Sequence, residues 1–365
     1  MTASVFAAEH LLFQPAASTP DAIPAVFAFP NEYSVGITSL GYQVIWAMLA
    51  QRSDVAVGRV FTDTADALPA NPELMGFSVS WELDYINILN LLEQQHIPIR
   101  SCDRTDHHPL IFGGGPVLTA NPEPFANFFD VVLLGDGEDL IPTFIDVYQS
   151  VRLASRQERL KVLAQVPGIY IPSLYRPVYV EPTGPISRIE PVSDDVPAVV
   201  KKQTYRGNVL LASTVVTEKA AWENIFMVEV VRSCPEMCRF CLASYLTLPF
   251  RTASLDESLI PAIERGLAVT KRLGLLGASV TQHPGFGELL DHINQPAYDD
   301  VRLSIASVRT NTVNEKLAKT LVDHGTKSIT IAVESGSEQV RQTINKKLDT
   351  ADIEKAVVNA KAGGL

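Results

Sequence analysis

The stretch Asn224-Ile-Phe-Met-Val-Glu-Val-Val-Arg-Ser-Cys234-Pro-Glu-Met-Cys238-Arg-Phe-Cys241 carries a β-branched, apolar run straight into three clustered cysteines. Such a run reads as a strand. A strand that delivers the chain into a reactive loop is the logic of the (β/α) barrel, whose active sites lie at the carboxyl ends of its parallel strands. Cys234, Cys238 and Cys241 can turn their sulfurs toward a common centre, whereas a disulfide needs two thiols and leaves one over. Two centres fit this pattern. A [4Fe–4S] cluster held by three cysteines keeps one iron open, and zinc would need a fourth ligand from a distant histidine such as His283.

Beyond the cysteines, strand-like runs recur at Leu273 to Val280, Val301 to Ser307 and Lys327 to Val333, separated by segments of helical periodicity. Ser254 and Glu257 form a Ser-x-x-Glu start for a helix running to Arg272. Leu317, Leu321 and Val322 line one face of a second helix, from Val313 to His324, which Gly325 stops. A last helix is expected from about Thr350 to Ala362, ahead of Gly363 and Gly364. These are repeated βα units, too few for a complete barrel of about 250 residues, so the chain is expected to be part of a longer protein. Lys346 and Lys347 are expected to continue a solvated polar helix, and His283 with Pro284 to form a simple turn.

The first half alternates in the same way. Ala25 to Phe29, Val55 to Phe61 and Leu74 to Ser80 read as strands; Ile37 to Gln51 and Glu82 to Gln95 read as helices. Alternation of this kind predicts an open, doubly wound α/β sheet. Two strands then open into glycines, at Leu110-Ile-Phe-Gly-Gly-Gly-Pro116 and at Asp130-Val-Val-Leu-Leu-Gly-Asp-Gly-Glu138. Cys102, at the end of the Glu82 helix, reads as a small buried apolar residue. Proline and β-formers dominate between the halves. The expected organisation is an α/β domain over 1–165, an ordered β-rich linker over 166–222 and a barrel portion over 223–365.

A net charge of −11 opposes broad attraction to nucleic acid and favours a small-molecule or protein substrate. No run of about 18 apolar residues suggests a membrane span. Four cysteines in 365 residues, three of them clustered, suit a reducing, cytoplasmic setting.

With Phe240 just before its last cysteine, the C-x3-C-x2-C loop resembles the signature of the radical S-adenosylmethionine (SAM) enzymes. The glycine-rich loop, Asn121-Pro-Glu-Pro124 and the Gly-Asp-Gly-Glu turn resemble the N-terminal domain of the cobalamin-binding members of that superfamily. The resemblance implies a doubly wound, cobalamin-binding-like Rossmann-type domain followed by an incomplete radical SAM (β/α) barrel. It implies that Cys234, Cys238 and Cys241 hold a [4Fe–4S] cluster and that Phe240 packs near the adenine of SAM. Gly277, Ser307, Arg309 and Glu334 become candidate SAM contacts. Where the family carries Gly-Gly-Glu, this chain reads Gly277-Ala278-Ser279 and lacks the acid. Tyr245, Pro249 and Arg251 also match related sequences, although loop shape explains them equally well. The implied cofactors are the cluster and SAM, with cobalamin as a further candidate. The implied partner is a one-electron donor such as flavodoxin or ferredoxin. The cobalt-ligating Asp-x-His-x-x-Gly motif is missing, so His107 and His108 are expected to be loop residues. The implied activity is reductive cleavage of SAM to a 5′-deoxyadenosyl radical, serving radical methylation or another group modification. A non-catalytic iron–sulfur or zinc protein and a cobalamin carrier or sensor remain as alternatives.

Overall fold

A computed structural model describes residues 4–306 and 308–365. Contacts divide the chain into two compact units: Phe13–Tyr205, and Arg206–Leu365 together with the described residues up to Leu12. The candidate contact Ser307 lies outside the described residues.

The Phe13–Tyr205 unit is built on a six-stranded sheet. Its spatial order is Val55–Val60, Ile23–Ala28, Leu74–Ser78, Leu110–Gly114, Val131–Leu133, Ile169–Tyr170. The first five strands are parallel and the last pairs antiparallel. The parallel part runs 2-1-3-4-5, a doubly wound order whose switch point lies beside the first strand. Alternation along Ile23–Ala28 shows why both faces are covered. Val26 and Ala28 join a core with Ile88, Leu91 and Leu92 of the Tyr85–Gln94 helix, while Phe27 stacks on Tyr42 of the Leu40–Ala50 helix at 5.0 Å. The Gly137–Val151 helix packs Phe144 against Phe112, the rings tilted with centroids 5.0 Å apart. Strands buried on both sides read as continuous apolar runs, which is why these were legible.

The Gly-Asp-Gly-Glu turn is shaped by the chain itself. Gly135 has φ 111°, and a side chain there would overlap the Gln203 carbonyl, which accepts the Asp136 amide at 3.1 Å. Tyr205 donates its own amide to Asp136 Oδ2 at 2.9 Å. Several residues within the 166–222 stretch thus lie in the sheet or against it. Cys102 is exposed in a short 3-10 turn, not buried as expected, because the Tyr85–Gln94 helix ends before reaching it. His107 and His108 sit in an exposed turn before Leu110–Gly114, at the amino end of that strand.

In the second unit Ile225–Glu229, Arg272–Leu276 and Arg302–Ile305 pair in parallel and in sequence order. The helices Ile260–Leu267, Phe286–Ile293 and Glu315–Asp323 follow these strands in turn, as in a barrel segment. Ser254 caps its helix as read, accepting the Glu257 amide at 3.2 Å. The first turn, Leu255–Leu259, is π-helical, and the helix ends at Leu267 so that Arg272 can open the next strand. Along the expected strand from Lys327 to Val333, the described residues form one bridge, Ile331 to Val308, and exposure alternates as in a half-covered strand. Strand propensity is local, whereas a ladder needs a neighbour in register. No helix among the described residues is long and apolar enough to cross a membrane.

Candidate metal centre

The cysteine loop follows Val231–Arg232 and is folded by left-handed residues at Ser233 (φ 72°) and Met237 (φ 54°). The Cys241 amide donates to Cys238 O at 3.0 Å, closing a turn over these residues. Cys238 is buried, while Cys234 and Cys241 are half-buried. Ser233 Oγ donates to Ser244 O at 3.0 Å, Tyr245 Oη donates to Met237 O at 3.0 Å, and Ser244 Oγ lies 3.7 Å from Cys241 Sγ.

A second segment, 343–347, grips the loop from outside. Asn345 Nδ2 donates to Glu236 O at 3.2 Å and to Met237 O at 2.8 Å. Arg239 donates its amide to Ile344 O at 2.9 Å and its guanidinium to Thr343 O at 2.6 Å. Lys346 and Lys347 therefore do not continue a helix. The Glu338–Thr343 helix stops before them, and both Asn345 and Lys347 adopt positive φ.

Charged groups converge on the same place. Lys346 Nζ pairs with Glu334 Oε1 at 2.8 Å and lies 5.9 Å from the centroid of the Phe240 ring, which is itself 54% exposed. The Glu236 carboxylate accepts from Gln282 Nε2 at 2.6 Å and pairs with Arg309 Nη2 at 3.1 Å. Arg309 Nη2 also donates to Lys346 O (3.3 Å) and Lys347 O (3.2 Å), while its buried Nε has no partner among the described residues. Burial pushes the Cys238 thiol above its ordinary value; Lys346 and Arg309 pull it back. Gly277, at the exit of the second barrel strand, has φ 148°, and a Cβ there would stand 2.6 Å from Val231 O. It thus lets that turn approach the strand that feeds the cysteine loop.

The donor set fits an iron–sulfur cluster better than a single ion. Structural zinc takes four protein ligands, and the loop offers three cysteines. In a cubane each cysteine takes a different iron. Two cations close enough to favour the Cys238 thiolate suit the negative charge of such a centre, and the Ser244 hydroxyl on Cys241 is the type of contact that tunes one. His283 is unsuited as a zinc ligand. It is buried, its Nδ1 accepts the Gly285 amide at 3.0 Å, and its Nε2 therefore donates to Ala253 O at 2.7 Å.

The structure brings Phe240, Gly277, Arg309 and Glu334 to the surroundings of the loop. Sequence reasoning missed Glu236, Gln282, Asn345 and Lys346. Glu236 was visible inside the motif, but no spacing rule links it to Gln282 and Asn345, 46 and 109 positions away.

Comparisons with known proteins agree with this layout. The family described as radical SAM proteins, N-terminal, matches residues 68–172, and the family described as radical SAM superfamily matches residues 228–365. The uncharacterized protein MJ0966 of Methanocaldococcus jannaschii is 28% identical over 341 residues, 92% of this chain and 66% of its own length. Among solved structures, the cobalamin-dependent SAM radical enzyme OxsB, with aqua-cobalamin and SAM bound, aligns with TM-score 0.59 at 14% identity. That match covers 93% of this chain and 48% of OxsB. The radical SAM methyltransferase TsrM of Kitasatospora setae, with cobalamin and a [4Fe–4S] cluster bound, aligns with TM-score 0.61 at 10% identity, covering 94% and 68%. The chain thus spans about half to two thirds of the proteins it matches. With the two family matches spread over most of its length, and the three cysteines held on the loop after the first barrel strand, the chain belongs to the radical SAM superfamily.

Proposed function

We propose that the protein carrying this chain is a radical SAM enzyme in which Cys234, Cys238 and Cys241 hold a [4Fe–4S] cluster. The observation that carries the proposal is the cysteine loop beyond a parallel strand, clamped by Asn345 and Arg239. When bound, the cluster supplies the electron that cleaves SAM to a 5′-deoxyadenosyl radical. The chain's own residues bind and orient. Phe240 offers an exposed aromatic face for an adenine, the Gly277 turn offers backbone groups, and Glu334 offers a carboxylate for the amino or ribose groups of SAM. A one-electron donor of the flavodoxin or ferredoxin kind, a small-molecule or protein substrate, and a reducing cytoplasmic setting belong to the same proposal.

A second reading concerns the Phe13–Tyr205 unit. Its sheet order supports cobalamin at the carboxyl edge of the parallel strands, where doubly wound folds bind ligands. Trp81, 60% exposed just beyond Leu74–Ser78, would supply apolar surface there. Histidine ligation to cobalt is not part of this reading, since His107 and His108 lie at the opposite edge. Bound corrinoid would direct the radical chemistry toward methylation; its absence would leave another group modification.

The test is anaerobic reconstitution with iron and sulfide, followed by dithionite and SAM. Formation of 5′-deoxyadenosine supports the enzyme reading. Metal uptake without that product would replace it with a non-catalytic iron–sulfur protein. The absorbance of co-purified or added corrinoid tests the second reading separately.

A further inference from the structure

Glu236 stands inside the cysteine loop, yet its carboxylate is turned to the protein. The side chain is 12% exposed and meets Gln282 Nε2 at 2.6 Å, Arg309 Nη2 at 3.1 Å and Lys347 Nζ at 3.7 Å. Arg309, 10% exposed along its side chain, passes the connection on to the Lys346 and Lys347 carbonyls. Asn345, the residue before them, reaches back to Glu236 O and Met237 O. The contacts close into a ring that starts and ends at Glu236.

We infer that Glu236 is a positioning residue for the metal centre: its charge holds Arg309, Arg309 holds the 345–347 backbone, and Asn345 holds the loop between Cys234 and Cys238. This rests on the cluster assignment made above. A neutral side chain would leave the Arg309 guanidinium nearly buried without its counter-charge, so the ring would loosen at the link the carboxylate makes. Gln282 ties the same carboxylate to the turn after the second barrel strand, so loosening would also reach the Gly277 region. Groups that orient ligands from outside typically govern metal affinity by about 10- to 100-fold.

The test uses the reconstituted chain with Glu236→Gln and, separately, Asn345→Ala. Iron release to a chelator is timed, and the EPR spectrum of the reduced cluster is recorded with and without SAM. Both variants are expected to release iron at least about tenfold faster than the wild type and to show an altered or heterogeneous EPR signal. Far-UV circular dichroism should be unchanged. If Glu236→Gln fails to fold, Gln282→Leu, which takes a hydrogen bond from the Glu236 carboxylate without removing its charge, is read in its place and is expected to speed release in the same direction. A wild type that loads iron while the folded variants match it in release rate and spectrum overturns this inference alone. A wild type that takes up no cluster overturns the functional assignment, and this inference with it.

Discussion

Lys346 Nζ stands 2.8 Å from the Glu334 carboxylate, and Glu334 itself holds a left-handed backbone conformation with φ 70°. A non-glycine residue in that region is uncommon and is held there by its surroundings. Here the ion pair fixes where the acid points. Glu334→Ala is expected to weaken SAM binding to the reconstituted protein at least about tenfold, since a hydrogen bond to a charged group is worth about 1.5–3 kcal/mol. Equilibrium dialysis with SAM measures it; an unchanged affinity would remove Glu334 from the site.

Cys238 is the buried thiol of the three, whereas Cys102 is exposed in the other unit. Cys238→Ala should drop reconstituted iron from about four per chain to near zero, and Cys102→Ala should leave it unchanged. Equal loss in both would point to adventitious iron.

Gly277 combines positive φ with a position where an added Cβ would stand 2.6 Å from Val231 O. Gly277→Ala is expected to destabilise the chain by about 1–3 kcal/mol. The measurement is denaturant unfolding of the metal-free protein. A midpoint equal to that of the wild type would mean the turn can relax, and the close approach would lose its importance.

Asp130 lies between two arginines. Its Oδ2 is 2.9 Å from Arg104 Nη1 and 2.7 Å from Arg156 Nη2, and it also accepts the Ile111 amide at 2.7 Å. Burial lowers the Arg104 pKa, and the Asp130 charge opposes that shift. Asp130→Asn would strand two buried cations and is expected to cost about 3–5 kcal/mol. A loss under about 1 kcal/mol in urea unfolding would contradict this account.

Burial pushes the Asp84 carboxyl above its ordinary value of 3.8, only partly offset by Asn31 Nδ2 at 2.8 Å. A carboxyl raised in the folded state binds its proton more tightly there than in the unfolded chain. Its contribution to stability is therefore greatest below the ordinary value and declines as pH rises through the raised one. Asp84→Asn should remove that decline. Thermal midpoints of both proteins across pH 3 to 6 would be compared, and parallel curves would rule the effect out.

The parallel strands were legible because burial on both faces demands unbroken apolar residues, as in Leu110-Ile111-Phe112 and Phe226-Met227-Val228. The cysteine loop was legible because its three thiols lie close together in the chain. The Lys327 to Val333 run misled for the opposite reason: its composition suits a strand, but its pairing is decided by a neighbour, and among the described residues Ile331 alone bridges. The charged ring was hidden for a related reason. Glu236, Gln282, Arg309 and Asn345 come from four separate segments; Arg309 was expected near SAM, but nothing in the sequence joins it to the other three.

The grip of Asn345 on the cysteine loop also orders events in time. The amide stands 109 and 108 residues beyond its two acceptors. At about 5–20 residues per second of synthesis, the thiols precede their clamp by on the order of 5–20 seconds. During that interval three neighbouring thiols sit on unsupported chain, open to oxidation or to a passing metal ion. The loop therefore reaches its clamped form only after residue 345 has been made and folded back, 109 residues later than the acceptor at Glu236.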